Sequence, residues 1–371
     1  MKDKRKEISA EEKFYMASQW QLMWRKFRKH KLAIIGGVIL AIFYTGAIFC
    51  EFFSTQDIYK RYTKYIYCPP QRIHFFDEEG KFHFRPFVCG FKRARDPITW
   101  EKIYKEDKSK KYPIYFFVRG DKYKLWNIFP SDIHFIGVKK GGILFLFGTD
   151  KLGRDMFSRN LYASRISLSI GLVGVALSFI LGSLLGGISG FYGGAADMVI
   201  QRIIEFLICI PTIPLWMGLA AAIPTDWPPL KVYFAITIIL SFVGWCGLAR
   251  VVRGKLISLR EEDFTMAAKI AGASDGRIIV RHLLPSFLSY LIVNLTLSVP
   301  GMILGETSLS FLGLGLRPPV VSWGVLLNEA QNVKTVSMHP WLLIPGLFVI
   351  ITVLAFNFLG DGLRDAADPY K

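Results

Sequence analysis

The stretch Ile166–Ala196 contains no charged side chain, and it is one of several such windows. Leu32–Cys50 and Leu283–Gly305 are also uncharged, and Thr335–Gly360 is uncharged when His339 is neutral. Val232–Ala249 is a shorter window bounded by Lys231 and Arg250, and Ile203–Thr225 holds only Glu205. A helix needs about 20 apolar residues to cross the hydrocarbon core of a bilayer. Within that core each backbone amide must be paired, so such windows form helices. A helix in the core of a water-soluble protein would carry an apolar stripe rather than an apolar circumference. The six windows predict an all-α polytopic membrane protein with six transmembrane helices.

The distribution of charge sets the expected topology. The formal net charge is +17, but ten Lys and Arg fall in residues 1–31 and seven in Arg250–Arg281. Cationic segments beside spans stay in the cytoplasm. No nucleic-acid-binding motif accompanies them, so no nucleic-acid partner is expected. The long basic N-terminus, the full-length first window and the lack of a small-residue cleavage site argue that Leu32–Cys50 remains as an anchor. Both termini are then inside, and the spans alternate. The chain divides into a cytoplasmic interfacial helix at 1–31, a first transmembrane helix at 32–53 and an insert at 54–165. A five-helix core at 166–360 follows, with a cytoplasmic loop at 250–285, and then a cytoplasmic tail at 361–371.

Two regions flank the first span. In "SQWQLMWRKFRKHK", Trp20, Trp24 and Phe27 recur at helical spacing among cations, the pattern of a helix lying at headgroup depth. The insert alternates in runs such as "YPIYFFV" between Gly and Pro turns, which predicts a small β-rich extracytoplasmic unit between helices 1 and 2. Cys68 and Cys89 lie in it, and a disulfide and two thiols are equally open readings. No His or Cys spacing suggests zinc, and no metal or other cofactor is expected on this chain.

Gly182, Gly186 and Gly190 form overlapping GxxxG pairs, which favour close helix packing. Pro211 and Pro214 are expected to break the third span, and broken helices are tolerated where backbone lines a cavity or meets a neighbour. These two prolines and Glu306 are the candidates for a substrate pathway. For Glu306 the alternative is a carboxyl bonded within the bundle to Thr307 or Ser308. Arg202 and Glu205, one turn apart, read as a helix-surface ion pair. Asp150, Arg154 and Asp155 precede the second span, as gate or docking residues or as a solvated cap.

No phosphate-binding GxxxxGK[ST] loop, no HExxH and no serine elbow occurs. No internal repeat or intramembrane charge relay marks an ion-driven carrier acting alone. A chain that transports without its own motor needs one from a partner. The stretch "MAAKIAGASDGRIIVRHLLP" at 266–285 offers a place for it. "EEDFTMAAKIA" favours helix and stops at Gly272; Ser274 is placed to cap a second helix opening with Asp275. Pro285 marks the entry to the fifth span. The Ala/Gly surface lets another protein approach the backbone, with Phe264, Ile270 and Ile278 as apolar anchors; a plain connector packed on its own spans is the alternative.

Ala267-Ala268, Gly272 and Leu284-Pro285 resemble the EAA loop of ATP-binding-cassette importer permeases, with Met266 and His282 departing from the usual Glu and Ile. "GTDKLGRDMFSRNLYASRISLSIG", "ETSLSFLGLGLRPPVVSWG", "AFNFLGDGLRDAADP" and "SQWQLMWRKFRKHKLA" are similar to the C-type permease subunit of dipeptide and oligopeptide importers. The resemblance implies six transmembrane helices of the ABC importer permease type in an inner membrane, and no catalysis by this chain. It implies a B-type permease as heterodimer partner, two ATPase subunits carrying ATP and magnesium, and an extracytoplasmic solute-binding protein. It assigns Asp263, Ala267, Ala268, Gly272, Ala273, Ser274, Asp275, Arg277, Leu284 and Pro285 to the ATPase contact. Peptides are the implied substrate; oligosaccharides and nickel chelates are carried by related importers.

Overall fold

The computed structural model describes residues 19–77, 79–95, 97, 102–139 and 141–367. Residues 1–18 and 368–371, and the side chain of Trp20, therefore lie outside the described residues. Helix α1 (Gln19–Phe27) precedes α2 (Lys31–Ile48) and a single turn, α3 (Cys50–Phe53). Four strands follow: β1 (Ile73–Phe76), β2 (Phe82–Arg95), β3 (Lys102–Leu125) and β4 (Phe129–Val138). Then come α4 (Met156–Tyr192), α5 (Gly194–Cys209), α6 (Thr212–Ala221), α7 (Pro229–Leu259), α8 (Asp263–Ile270) and α9 (Leu288–Phe311). Short α10 (Trp323–Asn328) and α11 (Val333–Met338) lead to α12 (Ile344–Ala367).

Five of these helices are long and apolar enough to cross a membrane: α2, α4, α7, α9 and the last. The third expected span is broken as Pro211 predicts, α5 and α6 meeting at 88°. Side-chain contacts decide whether that pair still crosses. Tyr233 bonds Ser169, Ser241 bonds the Gly174 carbonyl, and Gly186 and Gly190 abut Ala249 and Arg253. Residue numbers rise together, so α4 and α7 run parallel. A chain can repeat a direction only after returning, and α5 with α6 supplies the return. Consistently, Asp197 at the start of α5 meets Arg253, while Ala220 at the end of α6 shares a cleft with Leu314 and Pro318 at the other end of the bundle. The bent pair thus completes a sixth candidate span.

The remaining pairs alternate. Ser167 meets Glu306 and Gly171 meets Ile303, so α9 is antiparallel to α4. Gly362 abuts Ala33 and Phe43 stacks on Phe348, so α12 is antiparallel to α2. The two ends of the described chain thus share one face, where His30 lies 3.8 Å from Asp365. Met23 of α1 touches Ser289 on that same face, and Trp24 stacks on Phe27 with its ring exposed.

Two expected boundaries move. The second long helix begins at Met156, inside the 54–165 insert, because Asp155 caps it by accepting from the Ser158 amide and its arginines are paired rather than hydrated. The last helix continues to Ala367 through most of the expected 361–371 tail. The insert itself is an antiparallel meander in the order β1-β2-β3-β4. It is fastened to the C-terminal ends of α2 and α3: Trp126 Nε1 donates to the Ile48 carbonyl at 2.8 Å, and the His134 ring bonds the Ser54 carbonyl at 2.6 Å. No disulfide joins Cys68 and Cys89.

The parallel pair α4/α7 packs backbone against backbone at Gly186, and it sets a test. A Cβ on Gly186 would sit 2.5 Å from the Ala249 carbonyl oxygen and 2.9 Å from its Cα. Backbone on both sides cannot give way. Gly186→Leu is expected to cost at least about 1–3 kcal/mol and to lower the melting temperature in detergent. Gly187→Ala, whose Cβ would meet Ile279 Cγ2 at 3.5 Å and Leu256 Cδ1 at 3.9 Å in ordinary contact, is expected to melt near the parent.

Candidate functional site

At the face shared by the chain ends, the segment between α7 and α9 forms a compact platform. Helix α8 ends in a two-bond C-terminal motif: Ala273 N–H donates to Ala268 O at 3.0 Å, and Gly272 N–H to Lys269 O at 2.9 Å. Gly272 has φ +79° in this turn, the left-handed conformation that such a cap demands. The Thr265 hydroxyl donates to the Leu259 carbonyl at 2.8 Å, tying α8 back to the end of α7. Ser274 stands where a helix cap is expected, but its side chain makes no capping bond; only its carbonyl accepts, from Ile278 N–H.

Beyond Arg277 the chain stays helical, with one wide π turn at Ile278–Leu283. Pro285 lies within a helical turn, Leu284–Ser286, so it does not mark the break. The break comes at Phe287, whose φ of −121° and ψ of 24° leave the helix. The burial of Ile278 also corrects the expected anchors. Ile278 is fully buried, with Leu283 and Phe287, against Phe191, Val252, Leu256 and Leu291. It holds the platform to α4, α7 and α9 and is not available to another protein.

The outward surface is different. Phe264, Met266, Ile270 and Val280 are exposed, and Ile270 is 86% so. Asp263, Ala267, Gly272, Ser274, Asp275, Arg277 and Pro285 are exposed beside them. Ala268, Ala273 and Leu284 are half-buried and pack on the inner cluster. The small-residue stripe is thus split: part faces out, part seats the helix. Exposed Asp263, Asp275 and Arg277 add both signs of charge around an apolar centre.

The turn joining α4 to α5 is locked to the same end. Arg253 reaches Asp197 with two bonds, 2.6 and 2.5 Å, and Ser189 donates to the same carboxylate at 2.5 Å. Neither Asp197 nor Arg253 stands out in the sequence, since the pairing joins residues on different helices. Arg202 and Glu205 form their one-turn pair at 2.8 Å, exposed on α5.

At the opposite end a second charged cluster surrounds Asp150. Its carboxylate accepts from Arg154 Nε at 2.6 Å and from Arg159, and from the amides of Leu152 and Arg154. Glu329 approaches Arg154 at 3.3 Å and Arg159 at 3.9 Å. Burial pushes the Glu329 carboxyl above its ordinary range, as does the neighbouring Asp150; Arg159, Lys151 and Arg154 pull the other way. Burial likewise pushes Asp155 up to about 6, against donation from Ser158 and Thr55. Asp150 and Asp155 are wholly buried, so the solvated-cap reading fails. Arg165 forks onto Glu51 of α3 with two 2.6 Å bonds and also donates to the Ala47 and Ile48 carbonyls, clamping α4 to α3 and the end of α2.

Glu306 lies between these ends. It is fully enclosed and accepts from Ser322 at 2.7 Å, Ser310 at 2.8 Å and Ser167 at 3.1 Å. Three hydroxyl donors from three segments make it an internal tie of α4, α9 and the turn before α10. Within this chain it is bonded inside the bundle, as the alternative reading expects, with Ser167, Ser310 and Ser322 as the donors. Pro211 and Pro214 are exposed at the 88° bend.

Residues 143–370 match the model of a family described as the binding-protein-dependent transport system inner membrane component. Residues 18–70 match the N-terminal TM domain of oligopeptide transport permease C. The β1–β4 sheet falls between the two matches. The chain is 42% identical over 224 residues to the dipeptide transport system permease protein DppC of Bacillus subtilis, covering 60% of this chain and 68% of the relative. It is also 42% identical over 224 residues to the oligopeptide transport system permease protein OppC of Haemophilus influenzae, covering 60% and 70%. A putative peptide permease protein of Brucella suis is 38% identical over 250 residues, covering 67% and 81%. A chain of the MetNI methionine ABC transporter, solved facing inward, superposes with TM-score 0.43 at 18% identity over 54% of this chain and 93% of that one.

Proposed function

The chain belongs to the binding-protein-dependent transport system inner membrane component family, and from that premise we propose that it is the C-type permease subunit of an ATP-driven peptide importer. The relatives named as dipeptide and oligopeptide permeases support the substrate class. The family is a membrane component, so the chain supplies a path and leaves catalysis to others. A B-type permease completes the pathway, and an extracytoplasmic solute-binding protein delivers the peptide. Two ATPase subunits, which carry the ATP and magnesium, dock inside the cell, one of them on residues 261–285.

The observation that carries this reading is the platform at 260–287. Its inner side is bonded to α4, α7 and α9, and its outer side presents Phe264, Met266 and Ile270. A push on α8 therefore reaches three crossing helices without a flexible joint. ATP binding that favours one arrangement of the platform shifts the whole bundle toward it. The seven cations of Arg250–Arg281 and the ten of residues 1–31 support a cytoplasmic setting for this face. The insert and the Asp150 cluster are then extracytoplasmic, where the binding protein docks.

Purification in mild detergent, with mass-spectrometric identification of co-purifying chains, tests the assignment. A second permease and an ATPase are expected in fixed ratio. A stable, monodisperse preparation that contains neither overturns it.

A further inference from the structure

The β1–β4 sheet lies between the two family matches, one ending at residue 70 and the other beginning at residue 143. Three side chains converge on it that are far apart in sequence. His74 is on β1, Cys89 on β2 and Glu106 on β3, and one ligand-type atom from each lies within 4.8 Å of the others. His74 pairs across from Phe87, and Phe91 from Glu106. Residues 87, 89 and 91 share one face of a strand, which brings all three side chains to that face.

We propose that His74, Cys89 and Glu106 bind one divalent transition-metal ion of the zinc type. An imidazole nitrogen, a thiolate sulfur and a carboxylate oxygen are the donor set that a borderline-soft dication prefers. The thiolate and the carboxylate together offset its two charges. Three protein ligands leave a fourth position for water or for a group from a docked partner.

The surroundings are built to hold the three in place. The register slips between Cys89 and Gly90, and such bulges re-aim side chains. Asp107, next to Glu106, fixes the slip by accepting from Ser109 Oγ at 2.5 Å and pairing with Lys92 at 3.0 Å. Gln71 donates to the Cys89 carbonyl at 3.0 Å and accepts from the Phe145 amide at 2.7 Å. The His74 ring stacks on Phe87 and its Nε2 stands 3.2 Å from Glu106 Oε2. Lys111, opposite Cys89, is the cation that would oppose a metal. Its ammonium is drawn aside, 3.7 Å from Asp77 and over the Phe87 ring. Cys89 itself is buried, so a thiol of another protein cannot reach it, whereas an ion can.

The test uses the full, tag-free chain in mild detergent, titrated with cobalt(II) and back-titrated with zinc(II). One equivalent of cobalt is expected to give a thiolate-to-metal charge-transfer band in the near ultraviolet, and zinc to erase it. Cys89→Ser is expected to remove the band. Glu106→Gln, which keeps the size of the side chain, is expected to weaken binding at least about tenfold. The absence of a band at one equivalent in the parent overturns the proposal, as does a band that survives Cys89→Ser. If Cys89→Ser does not fold, Glu106→Gln decides: unchanged affinity overturns the site.

Discussion

Gly272→Trp is expected to abolish substrate-stimulated ATP hydrolysis by the assembled importer while leaving membrane insertion intact. Two effects combine in this substitution. Gly272 sits at φ +79°, where any Cβ is strained, and the left-handed region costs an ordinary residue about 1–2 kcal/mol. That alone is not enough to unfold the helical bundle. The position is also open, with nothing within 4 Å of where a Cβ would stand. An indole there therefore projects from the exposed turn instead of clashing internally, and it occupies the surface proposed for the ATPase.

A second substitution separates strain from obstruction. Gly272→Asn keeps the left-handed conformation accessible, since Asn is the commonest substitute for Gly in this cap. It also adds far less bulk than Trp. Stimulated hydrolysis is expected to survive in Gly272→Asn and to fall to the unstimulated rate in Gly272→Trp, measured in proteoliposomes with the binding protein present. Stimulation that persists in the Trp variant refutes docking at this turn. Equal loss in both variants assigns the effect to the cap rather than to the surface.

The crossing helices were legible in the sequence because a bilayer admits few solutions. A window without charge must be a helix, and Pro211 must interrupt it. The Gly272 cap was legible for a similar local reason: an Ala-rich helix followed by Gly, Ala and Ser permits little else. What escaped depends on register or on pairing between distant residues. Ile278 reads as an outward anchor beside Phe264 and Ile270, but the left-handed turn at Gly272 breaks the helical register between them and Ile278 packs inward. The early start of α4 was hidden because Arg159 and Arg165 look like hydrated loop residues. Their partners, Asp150 and Glu51, lie on other segments. Glu306 reads as either a pathway group or a carboxyl bonded within the bundle, and its donors Ser167 and Ser322 could not be picked out because they lie on other segments. His74, Cys89 and Glu106 follow no zinc spacing, and only the sheet register gathers them.

Arg159→Met is the second large effect, and it concerns the end of the bundle away from the platform. Arg159 is 2% exposed and its main partner, Asp150, is fully buried. Removing one member of such a pair leaves an uncompensated buried charge, which costs about 3–5 kcal/mol. Asp150 retains Arg154, but Arg154 must also serve Glu329, whose other cation is the exposed Lys151 at 3.9 Å. The expected result is a large fall in melting temperature in detergent and poor recovery of the complex. Replacing both members reverses much of it. Asp150→Asn with Arg159→Met leaves Arg154 facing Glu329 as a balanced pair, and replacing a whole buried pair by uncharged groups is often near neutral. The double variant is therefore expected to melt above the single one. If the two losses simply add, Asp150 and Arg159 are energetically independent, and the cluster is not the clasp that fixes the start of α4 to the segment around Glu329.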